Sequence, residues 1–99
     1  MSGFNFTEIY KLKDMLEKAG IPFVFRKLYE GYQIVYPSDD RGKRICDAVI
    51  HFGSYGHEEG LLEIMGLVNE EEIGDSVEGY LTAEEVFGRI EKHYQENRN

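Results

Sequence analysis

Cys46, Asp47 and His51 fall within one apolar segment. A thiol beside an imidazole and a carboxylate is the raw material of nucleophilic catalysis, but only within hydrogen-bond reach. In an extended strand Asp47 and His51 share a face about 13 Å apart, and Cys46 points to the opposite face. Cys46 is therefore expected to be a small buried hydrophobe. His51, His57, His93, Glu58 and Glu59 carry metal-ligating groups, yet no H-x-x-x-H or E-x-x-H spacing puts two of them on one helical face. His93 falls in the last turn of a C-terminal helix, where a cation complements the dipole. The expectation is no catalytic set, no metal and no cofactor.

Binding chemistry is better represented. Gly53-Ser54-Tyr55-Gly56 offers backbone amides that a ligand could approach, with two hydroxyls beside them. Arg41, Lys43 and Arg44 could contact an anion. The loop is neither G-x-G-x-x-G nor a Walker loop, and nothing in the sequence brings the basic residues to it. It reads as an ordinary turn or as a nucleotide-like ligand site. Tyr29, Tyr32 and Tyr36 lie together in the sequence and suit either a protein interface or cross-strand packing.

The formal charge is −8, unevenly spread. Residues 1–57 hold eight Lys/Arg and seven Asp/Glu, whereas residues 58–91 hold eleven Asp/Glu and only Arg89. Such a surface repels nucleic acid and anionic lipid, and it suits a basic protein partner or simple solubility. Glu70, Glu71, Glu72, Asp75 and Glu78 are the residues expected to give charge complementarity.

The strings Gly53-Ser54-Tyr55-Gly56, Leu61-Leu62-Glu63-Ile64-Met65-Gly66-Leu67 and Gly79-Tyr80-Leu81-Thr82-Ala83-Glu84-Glu85-Val86-Phe87 resemble a group of small acidic proteins carried by phages and mobile elements of Gram-positive bacteria. The likeness covers about residues 45–96. It implies a setting, the bacterial cytoplasm with an accessory or host-modulating role, and transfers no functional residue.

Ninety-nine residues make one domain, with 41% apolar residues to build its core. No apolar run approaches the ~20 residues of a membrane span, and the N-terminus lacks the regions of a signal peptide. One cysteine excludes an internal disulfide and fits a reducing compartment, so the expected location is cytoplasmic. Residues 5–20 read as a helix capped by Asn5, with Glu8 completing a capping box. Ile9, Leu12, Met15, Leu16 and Ala19 form its apolar stripe, and Gly20 ends it. Two aromatic, β-branched segments, 23–29 and 32–36, predict a hairpin turning at Glu30-Gly31. Residues 45–52 predict a third strand with Cys46, Ala48, Ile50 and Phe52 on one face. Residues 61–67 fit a fourth strand or a helical turn, and the glycines that bound them favour the strand. Residues 69–78 read as irregular. Thr82 and Glu85 form a second capping box, followed by the stripe Ala83, Val86, Phe87, Ile90 and Tyr94.

The expected fold is α+β: a two-layer sandwich, its three- to four-stranded antiparallel meander covered on one face by the two helices. The leading functional expectation is a non-enzymatic interaction module that acts on a host protein through its acidic surface. The alternative is a small-molecule binder built on the Gly53–Gly56 loop.

Overall fold

The computed structural model describes residues 5–40, 43–67 and 77–97. Arg41, Glu70, Glu71, Glu72 and Asp75 lie outside the described residues. The elements run α1 (Thr7–Ala19), β1 (Val24–Leu28), β2 (Gly31–Tyr36), β3 (Cys46–Ile50), a 3-10 turn (His57–Glu59), β4 (Leu62–Met65), β5 (Val77–Leu81) and α2 (Ala83–Asn97). The sheet is fully antiparallel, with its strands in sequence order β1-β2-β3-β4-β5. The architecture is the expected α+β layout with five strands rather than three or four.

The added strand, β5, escapes a reading by alternation. Its register against β4 is irregular between Leu62 and Ile64, and Tyr80 takes a positive φ of 62°. Inward and outward positions therefore do not alternate cleanly. Glu78 is tied to α2, where Arg89 grips it through two hydrogen bonds of 2.6 and 3.0 Å while also donating to the Leu67 carbonyl.

One core lies between the helices and one face of the sheet. It holds Ile9, Leu12 and Leu16 from α1, Ala83, Val86 and Ile90 from α2, and Ile34, Ala48, Ile50, Leu62, Ile64 and Leu81 from the strands. These follow the helical and strand periods expected of the sequence, except that Met15 is only half-buried and Ala19 is exposed at the end of the α1 stripe; burying each large aliphatic side chain contributes about 1.5–3 kcal/mol. Phe87 is only half-buried at the margin of this core, whereas Ile90 is fully enclosed. Phe6, Tyr10, Phe25 and Tyr32 extend the core as an aromatic cluster between α1 and the first hairpin, with ring centroids 5.0–5.6 Å apart.

Local details differ from the sequence reading at three points. The first turn is Tyr29-Glu30, since Leu28 pairs with Gly31, and Tyr29 accepts a φ of 56°. Gly31 is needed for another reason: a Cβ there would stand 1.7 Å from the Ile50 carbonyl oxygen. At α1 the Asn5 side chain accepts from the Thr7 N–H at 2.9 Å, but the N-cap position, Phe6, has no side-chain cap. Glu8 does not fold back on its own helix; it accepts from the Ala83 N–H of α2 at 2.6 Å. The second capping box is formed as expected, Thr82 Oγ1 accepting from the Glu85 N–H at 3.2 Å and Glu85 Oε1 from the Thr82 N–H at 2.8 Å.

The other face of the sheet carries a polar ladder. Gln33 donates to Asp47 at 2.7 Å and accepts from Arg26 Nε at 2.8 Å, and Arg26 also binds Asp39 at 2.9 Å. Gln33 and Asp47 are buried, flanked by buried Val35 and Val49, so the ladder satisfies polar groups that would otherwise be costly.

Candidate functional site

Large apolar side chains left in water need an explanation, particularly when they gather. Tyr29 is 80% exposed, Phe52 68%, Tyr55 61% and Tyr80 59%. All four are set at one end of the sheet. Tyr29 is in the β1–β2 turn, and Phe52 and Tyr55 are in the connection from β3 to β4. Tyr80 is on β5, beside Tyr55.

The rim is held by specific contacts. The Tyr29 and His51 rings meet edge-on at 5.5 Å, and Phe52 meets His57 edge-on at 5.9 Å. His51 Nδ1 accepts from the Gly53 N–H at 3.0 Å, fixing the ring against its own turn. His57 Nδ1 lies 2.7 Å from the Ser54 carbonyl. Tyr80 N–H donates to the Tyr55 carbonyl at 3.4 Å, and a Cβ on Gly79 would meet Tyr55 Cβ at 2.3 Å, so the glycine lets β5 close onto the loop. The result is four exposed aromatic residues at one end of the sheet on a pinned backbone. Glu30, Glu58 and Glu59 are exposed at the same end and have no ion-pair partner among the described residues.

The glycine-rich loop thus serves as scaffold. Ser54 is buried; its hydroxyl donates to the His51 carbonyl and accepts from the His51 N–H, at 2.9 and 3.0 Å. The amides of Gly53, Ser54 and Tyr55 donate to His51 Nδ1, the His51 carbonyl and Glu63 Oε1. Gly56 has a φ of 96°, and a Cβ there would stand 3.0 Å from the Tyr80 nitrogen. Lys43 and Arg44 precede β3, whereas Gly53–Gly56 follows it, so the five-residue strand holds them at opposite ends. They do not form one ligand site.

The tyrosines of the hairpin divide. Tyr32 is spent in the aromatic cluster, and Tyr36 is buried with its hydroxyl 2.8 Å from His93 Nδ1. Only Tyr29 is presented. Glu78 is engaged by Arg89. His93 is likewise tied to Tyr36 and lies a turn inside the helix rather than at its end, so a partner, not the dipole, accounts for it.

Cys46 is buried, and burial, aided by the Asp47 carboxylate, pushes its thiol up to about 12. It is no nucleophile in this state. Among the described residues no three His, Cys, Asp or Glu side chains are grouped to hold a metal ion, and no helix is long and apolar enough to cross a membrane.

Sequence reasoning missed Phe52, which was placed on the core face of β3. The strand ends at Ile50, so the two-residue period no longer applies at Phe52. The Gly53 that follows it was the available signal of that break. Tyr80 was hidden in the unrecognised strand. Comparison with protein-family models, with curated proteins and with solved structures finds no match to this chain.

Proposed function

We propose that the chain is a non-enzymatic protein-interaction module that docks on a basic partner through the aromatic rim. The observation that carries this reading is the exposure of Tyr29, Phe52, Tyr55 and Tyr80 on one end of the sheet. Aromatic residues lose little entropy on ordering and dominate the energetics of interface centres. Glu30, Glu58 and Glu59 supply charge of one sign at its margin, which favours a partner rich in Lys and Arg and speeds encounter. This moves the binding surface from the acidic segment named in the sequence to the rim. The setting is the bacterial cytoplasm, where a phage or mobile-element accessory protein meets host proteins.

The test is a pull-down from bacterial lysate with the wild-type chain and with a Tyr29→Ser, Phe52→Ser, Tyr55→Ser variant. All three side chains lie outside the core, so the variant should still fold, which its thermal melt checks before the pull-down is read. A partner held by the wild type at low salt and lost by the variant supports the reading. Equal retention by both, or no retention by either, rejects it.

A further inference from the structure

A concavity lies at the pole of the molecule opposite the rim. Tyr29 precedes β2 and the Phe52 loop follows β3, whereas Tyr36, Pro37, Lys43 and Ile45 flank the opposite ends of those strands. There they join Pro22, His93, Tyr94 and Asn97 around an open groove of about 400 Å³. Small-molecule sites span about 300–1,000 Å³, are mostly apolar, and hold a few convergent polar groups. The groove has this make-up. Prolines, tyrosines and Ile45 form the walls, and Ile45 stays 38% exposed, a high value for a β-branched aliphatic side chain.

Its polar groups are specific. The Tyr36 hydroxyl and His93 Nδ1 share a hydrogen bond of 2.8 Å, with the rings edge-on at 5.5 Å. Burial holds the Tyr36 phenol above its ordinary range, so at neutral pH it keeps its proton. Where that proton is given to Nδ1, His93 carries its own on Nε2, which becomes a donor for a ligand. Among the described residues, Lys43 is the one cation of the lining, and no carboxylate lines the groove with it. Lys43 makes no ion pair among the described residues, in a chain whose net charge is −8.

We propose that this groove binds a small aromatic carboxylate, its flat apolar body against Ile45, Tyr94 and the prolines and its carboxylate on Lys43. The wall residues select a ring by shape and by edge-to-face contact. The Lys43 ammonium at the groove selects an anion over a neutral or cationic analogue. The site is separate from the aromatic rim, so it stands or falls independently of the proposed docking function.

The experiment is an NMR titration of the isotope-labelled full chain with 2-naphthoate, and with 2-naphthamide as the neutral isostere. Saturable shifts should centre on Ile45, His93 and Tyr94. The amide should bind about tenfold more weakly, the effect of losing roughly one charge-assisted hydrogen bond. Lys43→Gln, a substitution at an exposed position, should erase the preference for the carboxylate and leave the spectrum away from the groove unchanged. Three results would overturn the proposal. These are no saturable shift at the groove with millimolar naphthoate, equal affinity for amide and carboxylate, and shifts centred on the rim instead.

Discussion

The Glu8 carboxylate accepts a hydrogen bond from the Ala83 N–H at 2.6 Å, so the first turn of α1 caps the first turn of α2. Four N–H groups at a helix start lack intrahelical partners, and the Thr82–Glu85 box already serves two of the backbone donors there. Glu8 serves another from outside the helix and brings negative charge to the positive end of the dipole. Glu8→Ala should therefore destabilise the chain by about 1–2 kcal/mol, as loss of an N-cap does, and Glu8→Gln by less because its carbonyl still accepts. Urea melts decide it; a wild-type midpoint for Glu8→Ala would mean that water replaces the carboxylate at no cost.

Two glycines should respond in opposite directions to Ala. A Cβ on Gly31 would lie 1.7 Å from backbone oxygen of Ile50, which cannot swing aside as a side chain would. Gly31→Ala forces β2 and β3 apart and should cost about 1–3 kcal/mol or more. A Cβ on Gly88 meets nothing within 4 Å, and the residue sits inside α2. Gly88→Ala should gain about 0.5–1 kcal/mol. Thermal midpoints of the two variants should bracket the wild type.

The ladder on the far face of the sheet gives a third expectation. Asp47→Ala removes the acceptor of the buried Gln33 amide. An orphaned buried donor costs about 1–3 kcal/mol. The double variant Gln33→Leu, Asp47→Leu removes both partners and should recover much of that loss. If the single and double variants are equally unstable, the cost is one of packing and not of hydrogen bonding.

Cys46 sets a reactivity and an alkaline limit. An unfolded thiol ionises near about pH 8.5, and the folded one is held up to about 12 by burial and by Asp47. The folded value is the higher, so the neutral thiol's contribution is complete below about pH 8.5 and is lost as pH climbs toward 12. Tyr36, raised mainly by burial, acts in the same direction. Native protein should resist a thiol-specific disulfide reagent at pH 8 and react fully in urea. The urea midpoint should fall between pH 8 and pH 10, and fall less in Cys46→Val.

How much of this was legible depends on the range of the interaction responsible. The α2 start was readable because Thr82 and Glu85 act within one turn of chain. The same pattern at Asn5 and Glu8 misled, because Glu8 found a partner 75 residues away that no local rule contains. β5 was unreadable for a related reason: Glu78 turns toward Arg89 of α2, and the positive φ of Tyr80 breaks the alternation. For the rim, the aromatic residue types were visible but their exposure was not. Tyr29, Tyr32 and Tyr36 look alike in sequence, and only the fold sends one to water and two to partners.

The irregularity of β5 has a further effect, on assembly. A straight strand at a sheet border exposes unpaired N–H and C=O groups that recruit other strands. Here one border, β1, displays the charged side chains of Arg26 and Lys27, and the other, β5, is bent by its register shift and by Tyr80. Neither described border offers a straight uncharged template of the kind on which strands of other chains add. Under the proposed docking function a partner would therefore read side chains rather than add a strand to the sheet.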